Sequence, residues 1–158
     1  WTLADEPADE TRNTTPPSAD NISDFAKGCW FCPGSAVIFR RTDFDTVGHQ
    51  NPALRRLEDY EWFLRFALNG GKLRVHRETL VDINKGTRPS PSVINDACEH
   101  IHPILNHLPS KSKRYARAFL ALERASALGY TGQYLRCSFE LLRSFANHPR
   151  RHIQPVKM

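Results

Sequence analysis

From Asp59 to Asn69 the apolar positions are almost continuous. Trp62, Phe63, Leu64, Phe66, Ala67 and Leu68 leave Glu61, Arg65 and Asn69 as a thin polar stripe at steps of four. That pattern predicts a largely buried helix, ended by Gly70-Gly71, with Glu61 and Arg65 paired along the stripe. Upstream, Ser35-Ala36-Val37-Ile38-Phe39-Arg40 is short, apolar and β-branched, bounded by Pro33-Gly34, and reads as a buried strand. Thr42 is placed to start a helical turn through Val47 that Gly48 ends, and Asn51-Pro52 marks a loop. Lys72–Val75 and Thr79–Ile83 alternate well enough for two more short strands, set apart from the C-terminal third by the Gly/Pro-broken loop Asn84–Pro91.

The rest of the chain is helical in pattern. Ser92 begins a helix reaching about Leu108 with a bend near Pro103, Pro109-Ser110 start another that runs to Leu128, and a last one spans about Thr131 to Asn147. Phe119, Leu122, Ala125 and Leu128 are expected to face Tyr134, Leu135, Phe139 and Leu142 in an antiparallel pair. Residues 1–27, rich in Asp, Glu, Thr, Pro and Ser, read as a flexible acidic segment, with order beginning near Cys29.

Composition sharpens this picture in two places. A chain of 158 residues with 40% hydrophobic and 25% charged residues has the balance of one globular domain. No apolar run approaches the ~20 residues that span a bilayer, and nothing reads as a leader, so the expected location is cytoplasmic, with peripheral membrane association left open. The net charge of +5 is uneven. Residues 1–27 carry six carboxylates against Arg12 and Lys27, a net of −4, which leaves the remainder at +9. From Lys111 onward there are ten cations and only Glu123 and Glu140. Such a tail attracts anions at long range, yet no recognition-helix or RNA-binding motif accompanies it, so no specific nucleic acid is expected.

Cys29-Trp30-Phe31-Cys32 has C-x-x-C spacing, but the strand-like run after it is the wrong setting for a redox pair. A zinc site would have to borrow from Cys98, His100 and His102, so ordinary reduced cysteines are expected. Asp43-Phe44-Asp45 spells an Asp-x-Asp metal motif, but it comes after the Arg40-Arg41 end of the strand-like run and is not read as a metal site.

Glu58-Asp59 opens the buried helix. Asp59 lies one turn before Phe63, on the buried side, at a terminus where free amides and the helix dipole favour a negative charge. Taken in order, Pro33-Gly34-Ser35-Ala36-Val37-Ile38-Phe39-Arg40-Arg41, Phe44-Asp45-Thr46-Val47-Gly48, Glu58-Asp59-Tyr60-Glu61-Trp62 and Gly70-Gly71-Lys72-Leu73 resemble the C-terminal, acceptor-side half of the family 2 nucleotide-sugar glycosyltransferases. The resemblance implies an α/β fold: the C-terminal half of a GT-A type domain over residues 28–91, followed by a helical tail over 92–158.

It also implies inverting sugar transfer from a nucleotide-sugar donor to a glycan or other hydroxyl acceptor. Asp59 would be the catalytic base, and Glu58, Trp62, Gly34 and Ser35 would shape the acceptor site. Lys85 and Arg88 would face the nucleotide diphosphate. The nucleotide-binding half and its metal motif have no counterpart here. The expectation is therefore a fragment, inactive alone, whose missing N-terminal half holds the donor and a divalent Mg or Mn. The alternative from composition is a non-catalytic basic module that recruits a partner, a polyanion or a membrane surface.

Overall fold

The structure, a computed structural model, describes residues 17–31, 36–76, 78 and 89–149. Its elements in chain order are α1 (Ile22–Ala26), α2 (Arg41–Val47), α3 (Glu58–Leu68), α4 (Pro91–Ile101), a 3-10 turn (Ile104–His107), α5 (Ser110–Tyr130) and α6 (Tyr134–Asn147).

The α/β, GT-A type architecture expected from the sequence is not what is found. Among the described residues there is no strand, and the one β pairing is an isolated antiparallel bridge between Ala19 and Leu73. The physical reason is visible at Val37–Phe39. Val37 and Phe39 are half-buried and pack on the core while Ile38 between them is exposed, which is the alternation of a strand. The partner is an aromatic helix face, since Phe39 lies 4.5 Å from Trp62 and 5.5 Å from Phe63 between ring centroids. Alternation reports one wet and one dry side; it does not say that the dry side meets a sheet. The Lys72–Val75 strand reduces to the Leu73 bridge, and Thr79–Ile83 lies outside the described residues.

Helix α3 is the hub. Tyr60, Trp62, Phe63, Leu64, Phe66 and Ala67 are all buried, and they gather rings from several other segments besides that of Phe39. Phe25 of α1 stacks on Phe63 at 5.7 Å, Phe31 approaches Phe63 at 4.1 Å, and Phe119 of α5 meets Tyr60 at 4.5 Å. The Tyr60 hydroxyl donates to the Ala26 carbonyl at 3.0 Å, so its polar end is satisfied inside the core. Order therefore begins well before Cys29. Asn21 caps α1 by accepting from the Ser23 and Asp24 amides, and that short helix delivers Phe25 to the centre of the molecule.

The helix ends obey local chemistry. Gly48 at φ 83° stops α2 and Gly70 at φ 79° stops α3, conformations that side chains with a Cβ resist. Gly71 is constrained by space instead. A Cβ there would run into the Phe66 ring. Gly71→Ala is therefore expected to cost about 1–3 kcal/mol by overpacking. Urea unfolding should show the loss as a lower midpoint, and an unchanged midpoint would contradict the close approach. The helix expected over 92–108 divides as anticipated near Pro103, into α4 and the 3-10 turn.

The expectation of reduced cysteines changes at one position. Cys29 is disulfide-bonded rather than reduced, while Cys98 and Cys137 are free thiols. Burial pushes the Cys98 thiol up to about 11, with smaller opposing effects from the charges of Arg124, Glu123, Glu140 and Arg143. Cys98 is a core residue that stays protonated at neutral pH.

Candidate active site

The start of α3 is approached by an unusual backbone. Leu57, its N-cap, sits in the left-handed region at φ 60°, the one non-glycine residue with positive φ among those described. For a branched side chain that conformation costs about 1–2 kcal/mol. It turns the chain abruptly into Glu58 and Asp59, both half-buried in the first turn.

Ahead of it, residues 47–51 fold back over α3 and are pinned there by side chains from the helix. The Trp62 indole N–H donates to the Gly48 carbonyl at 2.7 Å. The Arg65 guanidinium donates to the Val47 carbonyl through Nη1 and to the His49 carbonyl through Nη2, the latter at 2.8 Å. The same guanidinium holds Glu61 bidentately, at 2.8 and 2.9 Å. Glu61 and Arg65 do pair, as expected, but Glu61 is only 6% exposed. Glu61 and Arg65 thus form a largely buried seam beneath the turn, and of the polar stripe Asn69 alone is fully exposed.

The result of this pinning is the placement of Gln50. Its side-chain amide donates to Asp59 Oδ1 at 2.8 Å. A carboxylate at a helix start, half-exposed and oriented by an amide, can accept a proton from a molecule approaching through solvent. The amide donates to it without supplying a competing charge. Gln50 is absent from the sequence-derived candidates, and no local signal marks it. It is a loop residue nine positions before its partner, and the bond depends on the turn held by Trp62 and Arg65.

The other site residues expected from sequence fall into three groups. Glu58 adjoins Asp59 on the same turn. Trp62 is 1% exposed, packed among Phe39, Phe44 and Phe66, so whatever it contributes passes through the Gly48 turn that it holds. Gly34, Ser35, Lys85 and Arg88 lie outside the described residues.

The divalent cation implied by the resemblance has no fitting ligand set in the described part. No three His, Cys, Asp or Glu side chains gather there. Asp43, third residue of α2, accepts the amide of the N-cap Arg40 at 3.0 Å in a capping box, and Asp45 faces Arg41 at 3.7 Å. No step is therefore routed through a metal.

No protein-family model, curated protein or solved structure matches the chain.

Proposed function

We propose that the chain is the acceptor-side part of an inverting glycosyltransferase, with Asp59 as its base. The observation that carries the reading is the Glu58-Asp59 start of α3. A buried, heavily tied helix presents two half-buried carboxylates, Glu58 and Asp59, at its N-terminus, and a loop amide donates to Asp59 at 2.8 Å. Rigid support behind an accessible base is what proton abstraction from a bound hydroxyl requires. The strained Leu57 just before it fits a backbone held for the site and not for the helix.

In the reaction, an acceptor hydroxyl oxygen attacks the anomeric carbon of the donor sugar. A new carbon–oxygen bond forms on the face opposite the departing nucleoside diphosphate, and the electron pair of the broken bond leaves with that diphosphate. Asp59 takes the hydroxyl proton. The Gln50 amide donates to its Oδ1 and holds the carboxylate in place. Glu58 lines the acceptor side. The resemblance assigns Gly34 and Ser35 to the acceptor site and Lys85 and Arg88 to the leaving diphosphate. Binding of the nucleotide, and of any cation with it, is assigned to a donor-binding half joined to this chain.

The division of labour is testable with the chain as it stands. Calorimetry with uridine and guanosine sugar nucleotides should give no saturable binding to the isolated chain. The chain joined to its donor-binding half should release nucleoside diphosphate when a hydroxyl acceptor is added. Tight binding by the isolated chain would overturn the assignment of the donor site, and absence of transfer by the joined protein across the common donors would overturn the enzyme reading.

A further inference from the structure

Helix α6 is amphipathic, yet it packs on α5 with its polar side. Ser144 is fully buried and donates to the Ala118 carbonyl at 2.8 Å. Ala121 and Ala125 continue that seam on α5 at helical spacing, both buried. Cys137, one turn before Glu140, lies close to Gly129 at the other end of the hairpin, where a Cβ on the glycine would be 3.5 Å from its sulfur. Small residues let the two backbones approach closely, and large side chains have no room between them.

The large apolar side chains of α6 therefore point away. Leu135 is 90% exposed, Phe139 66% and Leu142 68%, at positions i, i+4 and i+7 of one stripe, with Tyr134 exposed beside them. Leaving three such groups in water forgoes about 1.5–3 kcal/mol each. Meanwhile Glu140 Oε2 and Arg124 Nε are buried without a hydrogen-bond partner among the described residues. An aqueous-only helix would be rotated the other way.

Charge indicates what covers the stripe. Residues 110–149 carry Lys111, Lys113, Arg114, Arg117, Arg124, Arg136 and Arg143 against Glu123 and Glu140, a net of +5. Arg136 is exposed on α6, while Glu140 is mostly buried and lies 3.6 Å from Arg143. A convex ridge of Leu and Phe beside exposed arginine suits a lipid interface, which needs no matching groove in its partner. Two like-charged copies would repel across the same face. No helix among the described residues is long and apolar enough to cross a membrane, so the contact is one of lying on the surface.

We infer that the Leu135–Phe139–Leu142 face of α6 docks the protein on an anionic bilayer surface. This goes beyond the transfer chemistry and does not depend on it.

The test is co-sedimentation of the full chain with vesicles of phosphatidylcholine, with and without phosphatidylglycerol. The chain should pellet with the anionic vesicles and bind the neutral ones about tenfold or more weakly. Leu135→Gln/Phe139→Gln/Leu142→Gln should lose anionic-vesicle binding by at least about tenfold while keeping its melting temperature, because all three side chains are mostly solvated. Leu142→Gln alone, a milder change, should lose part of the binding. Arg136→Gln should weaken binding to anionic vesicles only. Failure to bind any vesicle would overturn the inference. So would undiminished binding by the triple variant. Self-association abolished by the triple variant, with no vesicle binding, would assign the face to a second copy instead.

Discussion

Arg65→Met is expected to lower the free energy of unfolding by about 3 kcal/mol, the scale for stripping one partner from a buried, hydrogen-bonded ion pair. The Glu61 side chain it abandons is only 8% exposed and would be left as an uncompensated charge. The Val47 and His49 carbonyls would lose their donor as well. Methionine keeps most of the side-chain volume, so the loss is electrostatic and not a cavity. A second variant isolates the cause. Glu61→Gln/Arg65→Met removes the naked carboxylate and should recover a measurable part of the loss, which makes the effects non-additive. Guanidinium unfolding of the three proteins measures this. A cost below about 1 kcal/mol for Arg65→Met would mean that the pair behaves as an exposed one.

The same bonds connect stability to the site. Trp62 and Arg65 tie down the turn that carries Gln50, and Gln50 holds Asp59. The Val-Gly turn and the Glu-Asp helix, separate along the sequence, are one hydrogen-bonded unit in space. Their order in the sequence suggests the resemblance. Their bonding explains why a glycine at φ 83° and an arginine one turn from the helix end belong to the same arrangement.

The features legible in the sequence are mostly local. The extent of α3, its Gly70 stop, the Gly48 stop of α2 and the break near Pro103 all come from signals within a few residues. The acidic segment ends earlier than its composition indicates. Asn21 followed by Asp24 is a cap signal, and Ile22, Phe25 and Ala26 are the apolar side of the short helix it starts, but five residues in a polar background carry little pattern. The expected sheet fails for a different reason: an extended run with alternating burial is the same sequence whether it lies on strands or on the rings of α3. The expected α5–α6 pair forms, but not through the Tyr134, Leu135, Phe139 and Leu142 face expected of α6, because periodicity identifies two faces without saying which one meets the neighbour. Small residues on α5 chose the polar face.

At the site, Asp59 and Glu58 are readable from their place at the helix start, whereas Gln50 is not. Its role comes from tertiary contact alone. The strain at Leu57 is equally hidden, since nothing about a leucine before Glu-Asp announces a left-handed backbone.

The central claim is that Asp59 accepts the acceptor's proton, and Asp59→Asn addresses it with the least disturbance. Asparagine matches the aspartate in size, can still accept from Gln50 through its carbonyl oxygen, and serves nearly as well at a helix start. It cannot take a proton at neutral pH. In the protein joined to its donor-binding half, turnover should fall by about 10²-fold or more, the usual scale for losing a general base, with donor binding kept. Stability should move by no more than a few tenths of a kcal/mol. The decisive measurement is the transfer rate of Asp59→Asn against the parent protein at saturating donor, with the melting temperature of the same two samples. A rate lower by about 10²-fold at an unchanged melting temperature is the predicted result; a near-parental rate would contradict the assignment of Asp59 as the base.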